Sequence, residues 1–157
     1  MGADVGAPAP EFTLSGSDNT DVGRRDYSLS DYRDRVVVLV FYPGDNTPVC
    51  TRQLNAYTED IASFTGVGAQ VLAISPQSVA SHDEFSCKQG GFAFPLLADV
   101  DKAVGEAYGI LGPLGFYRRS VFVVDAEGTI RYAHRAVAGL TFRSTEELVA
   151  AVQAASS

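Results

Sequence analysis

Cys50 is the residue of this sequence whose surroundings best suit nucleophilic chemistry. It follows Thr47, a good N-cap residue, and Pro48, which is well tolerated at the first helical position. This spacing places Cys50 in the first turn of a predicted helix, where unpaired backbone N–H groups and the helix dipole favour a thiolate. The alternative is that Cys50 is only a small buried hydrophobic residue, as free cysteines often are. The loop fixed by Pro43 and Pro48 favours the nucleophile.

A buried strand and an amphipathic helix are predicted to hold this loop. The segment Arg35–Tyr42 is almost entirely apolar and rich in valine, which predicts a strand buried on both faces. After the loop, apolar residues recur at helical spacing at Leu54, Tyr57, Ile61 and Phe64. Cys50 lies four residues before the first of them, so its side chain is predicted to face the core.

The rest of the chain continues the alternation of strands and helices. Extended segments are predicted at Glu11–Leu14, Val71–Ile74, Phe94–Leu97, Val121–Val124 and Thr129–His134. Helices are predicted at Ser78–Gln89, at Lys102–Tyr108, and after a capping box formed by Ser144 and Glu147. The pattern predicts one α/β domain over residues 1–157, with a central mixed β-sheet covered by helices on both faces. Residues 1–10 are predicted to form a loose arm.

Composition excludes several classes of partner. The chain has 157 residues and a net charge of −7, with no basic run, which argues against nucleic acids and membranes as partners. The apolar stretches are too short to span a bilayer, and residues 1–10 do not resemble a secretory signal. Two cysteines are too few for a disulfide scaffold, so a cytoplasmic location is expected. With two histidines and no ligand cluster, neither a metal nor another cofactor is predicted.

Several segments together resemble the peroxiredoxin family. Residues 43–50, PGDNTPVC, resemble its active-site signature, in which a proline, a threonine and the peroxidatic cysteine follow in this order and spacing. Four further segments look family-like: APEFTL (9–14), SLSDY (28–32), FPLLAD (94–99) and RSVFVVD (119–125). The similarity covers nearly the whole chain, and it is greatest to the peroxiredoxin Q branch, also called bacterioferritin comigratory protein.

The resemblance implies a thioredoxin-like fold and a thiol-dependent peroxidase. In that reading Pro43 shields the sulfur, Thr47 orients the hydroperoxide, and Cys50 attacks its O–O bond to give a sulfenic acid. Arg119 matches the family arginine that holds the thiolate and polarises the peroxide. The resemblance also implies thioredoxin or a similar thiol as reductant, and a monomer.

Two residues near this predicted site need separate argument. An arginine beside a buried strand is more often a surface ion-pair partner, and Arg118 competes with Arg119 for the family position. Arg119 is preferred because it directly precedes the strand. Gln53 occupies a position that is often acidic in related enzymes, and it is expected at most to orient the arginine.

Cys87 is the candidate resolving cysteine. Many members of the branch place this residue five positions after the peroxidatic one, where this chain has Asn55, and a smaller group places it near Cys87. At about 100° per residue, Cys87 lies some 200° around its helix from Phe85, so it faces outward if Phe85 faces the core. A disulfide needs Cα atoms about 4.4–6.8 Å apart, so we expect the first turn around Cys50 to unwind. Alternatively, Cys87 is a spare surface cysteine.

Other readings of the sequence remain as alternatives. A thioredoxin-like disulfide oxidoreductase needs a Cys-x-x-Cys motif. Gln53 occupies the position of its second cysteine, three residues after Cys50, which argues against this class. A one-cysteine peroxidase reduced by an external thiol, and a non-catalytic binding or chaperone-like module, are the other two. His82 and His134 are predicted to be surface or boundary residues. Phe116–Tyr117 either lines the substrate entrance or, more simply, anchors its loop.

Overall fold

One mixed sheet organises the computed structural model, which describes residues 4–17, 24–44, 48–89, 91–112, 115, 117–135 and 144–155. Within these residues the sheet has seven strands in the order β2-β1-β5-β4-β3-β6-β7. The strands are β1 (Thr13–Ser17), β2 (Arg24–Ser28), β3 (Val36–Phe41), β4 (Ala69–Ser75), β5 (Leu96–Ala98), β6 (Ser120–Val124) and β7 (Ile130–Arg135). β3, β4 and β5 are parallel, and the other pairings are antiparallel.

Helices cover both faces of this sheet, as the sequence predicts. They are α1 (Pro48–Glu59), α2 (Ile61–Thr65), α3 (Val79–Lys88), α4 (Ala103–Ala107) and α5 (Thr145–Ala155), with a 3-10 turn at Leu29–Tyr32. β3 is buried along its whole length, and its side chains alternate between two cores. Val38 and Val40 pack with residues of α1, α2, α3 and α5. Leu39 and Phe41 pack on the opposite face with α4 and the 3-10 turn.

The strand register places the ends of two distant segments side by side. β3 and β6 are antiparallel, with Phe41 opposite Ser120. The residues that follow β3 and the residues that precede β6 therefore meet at the same edge of the sheet. Tyr42 and Pro43 leave β3 there toward α1, and Arg119 enters β6 there.

The structure differs from the sequence-based expectation at three elements. The predicted continuous helix through Phe64 is divided at Asp60, whose carboxylate accepts a hydrogen bond from Thr145 Oγ1 at 2.8 Å; Phe64 still reaches the core. The strand β2 was not predicted, because its sequence RRDYS is charged. Its place at the edge of the sheet explains this composition, since an edge strand needs no continuous apolar face.

The N-terminal segment is not the loose arm that the sequence suggested, at least over residues 6–9. Gly6 N donates to Ile130 O at 2.8 Å, Ile130 N donates to Ala7 O at 2.9 Å, and Ala9 N donates to Gly128 O at 2.8 Å. These bonds tie the segment along the start of β7, so backbone pairing overrides its Pro/Ala-rich composition. In the described part of the chain, no helix has the length and apolar character needed to cross a membrane.

Candidate active site

Cys50 lies in the first turn of α1, where the sequence placed it. The helix begins at Pro48, and Cys50 is fully buried. Its side chain belongs to the core that also contains Leu54 and Tyr57. Cys50 therefore lies at the end of the helix where the first N–H groups lack helical partners and the helix dipole is positive.

The guanidinium of Arg119 meets this sulfur. Arg119 Nη2 donates to Cys50 Sγ at 3.1 Å, and Arg119 is 3% exposed. The two residues come together because of the β3–β6 register, which brings the start of β6 to the end of β3. A buried cation at hydrogen-bond distance stabilises a neighbouring negative charge more strongly than an exposed cation does, since solvent screens it less.

Gln53, one turn further along α1, is hydrogen-bonded to the same arginine. Its Oε1 accepts a hydrogen bond from Arg119 Nη1 at 2.5 Å, and its Nε2 lies 3.5 Å from the hydroxyl of Tyr57. Gln53 is fully buried. Because its amide is neutral, it fixes the guanidinium without adding a negative charge that would compete with the thiolate for it.

The remaining predicted residues of this loop are only partly described. Pro43 directly follows the Tyr42 that ends the buried run, and it is half-buried. Thr47 lies outside the described residues. Arg118, the alternative to Arg119 for the arginine of the site, lies outside this loop. It is half-buried, and its backbone N donates to Ile110 O at 2.8 Å.

Cys87 is exposed near the end of α3, while Phe85 of the same helix is fully buried. This is the orientation that the helical spacing predicts. Both cysteines are free thiols in this structure. The end of α3 is attached to α1, because Asn55 Nδ2 donates to Gln89 Oε1 at 3.0 Å.

The prediction for His82 was wrong, because this residue is fully buried. Its Nε2 lies 2.9 Å from Leu97 O and therefore donates to this carbonyl. Its Nδ1 is 3.4 Å from the hydroxyl of Tyr42. The helical spacing indicates this burial, since His82 precedes the buried Phe85 by three residues and therefore lies on the same face of the helix. His134 is half-buried, as expected for a boundary residue.

The sequence analysis assigned no role to a buried carboxylate that contacts the segment before Arg119. Asp99 closes the FPLLAD segment and is fully buried. Tyr117, two residues before Arg119, donates its hydroxyl to Asp99 Oδ2 at 2.5 Å. Of the two interpretations given to Phe116–Tyr117, Tyr117 fits the loop anchor, and Phe116 lies outside the described residues.

The family of the chain follows from comparison with known proteins. The model of the AhpC/TSA family matches residues 5–133, a segment that contains both cysteines and Arg119. The chain therefore belongs to the AhpC/TSA family, the peroxiredoxins.

Individual relatives agree with this assignment. The chain is 38% identical to peroxiredoxin-2 of Rattus norvegicus over 136 residues, covering 82% of this chain and 68% of the rat protein. It is 35% identical to the chloroplastic 2-cysteine peroxiredoxin of Chattonella marina var. antiqua over 162 residues, covering 98% of this chain and 81% of the relative. Both of these relatives are peroxiredoxins.

Solved structures share the fold. AhpC of Mycobacterium bovis superposes with a TM-score of 0.89 at 20% identity, covering 98% of this chain and 93% of that one. The mitochondrial 2-cys peroxiredoxin of Plasmodium falciparum gives a TM-score of 0.86 at 25% identity, covering 96% and 93%. The fold is thus the thioredoxin-like fold of peroxiredoxins, and the protein is a thiol-dependent peroxidase.

Proposed function

We propose that Cys50 is the peroxidatic cysteine of this enzyme and that Arg119 activates it. The observation that carries the proposal is the 3.1 Å contact between Arg119 Nη2 and Cys50 Sγ, made between two buried residues. A guanidinium at this distance stabilises the thiolate. It also lies where negative charge is redistributed when the sulfur attacks an oxygen.

The first chemical step reduces the hydroperoxide. The Cys50 thiolate attacks the terminal oxygen of ROOH, so an S–O bond forms as the O–O bond breaks. The leaving oxygen takes a proton and departs as water or an alcohol, and the sulfur becomes a sulfenic acid. In this scheme Thr47 orients the peroxide by hydrogen bonding and Pro43 shields the sulfur from bulk water. Hydrogen peroxide and small organic hydroperoxides both satisfy this chemistry.

Cys87 is proposed to resolve the sulfenic acid. Its thiolate attacks the Cys50 sulfur, the S–OH oxygen leaves as water, and an intramolecular disulfide forms. The chain holds only these two cysteines, and Cys87 is exposed while Cys50 is buried. The step therefore requires movement: the first turn of α1 and the end of α3 must both unwind. Amide NMR spectra of the reduced and oxidised protein that superimpose over both helices would rule out this movement.

The remaining assignments extend the same scheme. Cys50 and Cys87 both lie inside residues 5–133, so a disulfide between them needs no partner subunit, as proposed for a peroxiredoxin Q-like enzyme. Such an enzyme functions as a monomer. A dithiol such as thioredoxin reduces the disulfide and returns both cysteines to thiols. Two cysteines are too few for a disulfide scaffold, so the cytoplasm, a reducing compartment, is proposed as the location.

The test is the intact mass of the reduced protein after one equivalent of hydrogen peroxide, with Cys50→Ser and Cys87→Ser in parallel. Rapid loss of two hydrogens by the wild type, absent in both variants, supports the two-cysteine cycle. Retention of one oxygen at Cys50 in the wild type means that Cys87 is a bystander and that an external thiol is the reductant. No rapid change would refute the role of Cys50 and favour a non-catalytic binding or chaperone-like module.

A further inference from the structure

The carboxylate of Asp99 forms a buried hydrogen-bonding centre outside the redox site. It accepts from Val104 N at 3.1 Å, from Gly105 N at 2.8 Å and from the Tyr117 hydroxyl at 2.5 Å. The two backbone donors belong to the first turn of α4, so the carboxylate also caps this helix. Asp99 therefore joins α4 to the segment that leads into β6.

The ring of Tyr117 is tightly packed on the side of Phe41 and on the side of Gly105. Tyr117 is 6% exposed and packs against Phe41, with ring centroids 6.0 Å apart. A Cβ added at Gly105 would come within 2.6 Å of Tyr117 Cε1, so only glycine leaves room for the ring there. Burial, together with the Asp99 carboxylate, raises the pKa of Tyr117, so that its hydroxyl stays protonated and donating.

This held tyrosine lies two residues before Arg119. Tyr117 forms an isolated bridge with Leu111, and Arg118 N donates to Ile110 O at 2.8 Å. β6 begins only at Ser120, so Arg119 itself lies outside the strand. The position of its backbone is therefore set on one side by β6 and on the other by the anchored Tyr117.

We propose that Tyr117 is a positioning residue for peroxide reduction, and that its hydrogen bond to Asp99 keeps the Arg119 guanidinium at the Cys50 sulfur. Tyr117 acts through Arg119: its ring belongs to the core on the opposite face of the sheet from Cys50. The inference rests on the proposed roles of Cys50 and Arg119. It adds that the rate of peroxide reduction also depends on the hydroxyl of Tyr117, which is buried on the other face of the sheet from Cys50.

The test measures the rate of Cys50 oxidation by hydrogen peroxide in Tyr117→Phe. This variant keeps the ring and removes only the hydroxyl that meets Asp99. Since displacements of about 1 Å in an active site cost up to about a hundredfold in rate, we expect a loss of about tenfold. The matched control is Tyr108→Phe, because Tyr108 is also buried in the same core and its hydroxyl donates to Pro10 O at 2.7 Å. The control is expected to react at the wild-type rate.

A double-mutant cycle separates positioning from a general loss of stability. In the Arg119→Gln background, Tyr117→Phe is expected to cause no further loss of rate, while still lowering the midpoint of thermal unfolding. An equal rate loss in both backgrounds, or an unchanged rate in the single variant, would overturn the proposal. An equal rate loss in Tyr108→Phe would overturn it as well, because the effect would then follow from any weakened core.

Failure of the underlying function is recognised separately. If wild-type Cys50 does not react with peroxide, or if Cys50→Ser still consumes it, the assignment of the peroxidatic residue is wrong. If instead the wild type and Arg119→Gln differ as expected while Tyr117→Phe equals the wild type, only the positioning role of Tyr117 is refuted.

Discussion

Replacing Arg119 with glutamine removes the cation that contacts the Cys50 sulfur and keeps a polar side chain of moderate size. In the structure Arg119 donates to Cys50 Sγ at 3.1 Å and to Gln53 Oε1. The variant leaves the thiolate with the helix N–H groups but without a positive charge. We therefore expect Arg119→Gln to fold and to react more slowly with hydrogen peroxide.

The size of the loss follows from the contact distance. A unit charge 3.1 Å from the sulfur interacts by about 5 kcal/mol at an effective dielectric constant of about 20. Desolvation of both groups offsets much of this, and hydrogen bonds to charged groups contribute about 1.5–3 kcal/mol net. At about 1.36 kcal/mol per factor of ten, the expected loss in the rate of Cys50 oxidation is about 10- to 150-fold.

The assay is rapid mixing with hydrogen peroxide, a quench that alkylates unreacted thiols, and intact mass measurement. Mass detection suits this chain, which has no tryptophan to report the reaction by fluorescence. Repeating the measurement at higher pH separates two effects of the arginine. A deficit that disappears at high pH concerns the thiolate alone, and a deficit that persists concerns the transition state. We expect part of the deficit to persist.

The control for this substitution is Arg118→Gln. Arg118 adjoins Arg119 in sequence and carries the same charge, but it is only half-buried and lies one residue further from β6. Cys50 in the Arg118→Gln variant is expected to be oxidised at a rate within about twofold of the wild type, as for the loss of a surface charge. A loss below threefold in Arg119→Gln, or an equal loss in Arg118→Gln, would refute the argument from the 3.1 Å contact.

Other substitutions test the surroundings of the site and of the fold. Gln53→Glu places a carboxylate on the Arg119 guanidinium, so the rate at pH 7 should fall about threefold to tenfold; a pH–rate profile that superimposes on the wild type would contradict this. Asn55→Ala removes the bond to Gln89 that attaches α3 to α1, worth about 1 kcal/mol, so disulfide formation after peroxide addition should accelerate about fivefold by mass spectrometry, and an unchanged or slower step would count against it. Burial alone would raise the pKa of Asp125, but hydrogen bonds from two backbone N–H groups and an arginine outweigh it and lower that pKa. Ionised Asp125 therefore stabilises the fold above the unfolded-state pKa near 3.8, and this stabilisation is lost as the pH falls through the lower folded-state pKa. Asp125→Asn should cost about 1–2 kcal/mol in urea unfolding at pH 7 and less below pH 4, whereas an equal cost at both pH values would exclude this linkage.

Local sequence patterns were sufficient wherever neighbours along the chain decide the structure. The valine-rich run before Pro43 gave β3, and the Thr-Pro pair before Cys50 gave the start of α1 at Pro48. Helical spacing from Phe85 gave the outward face of Cys87. The prediction for His82 was wrong although the local pattern was sufficient there too, because its spacing of three from Phe85 places it on the same buried face.

Long-range pairing decided what the local patterns did not contain. The resemblance to peroxiredoxins marked Arg119, but its contact with Cys50 exists because Phe41 pairs with Ser120 across β3 and β6. Local composition likewise missed β2, since pairing with β1 supplies its hydrogen bonds, and it predicted a loose arm where Gly6 and Ala9 are bonded beside β7.

The sequence by itself determined the fold class, the helix-start cysteine and the residues that resemble a peroxidase signature. Each of these depends on residues a few positions apart, whose geometry the backbone fixes locally. Only the tertiary structure decided that the guanidinium reaches the sulfur, that Gln53 holds it, and that Asp99 binds the hydroxyl of Tyr117. These contacts join residues far apart in the chain, and their distances depend on strand register and on packing in the folded molecule.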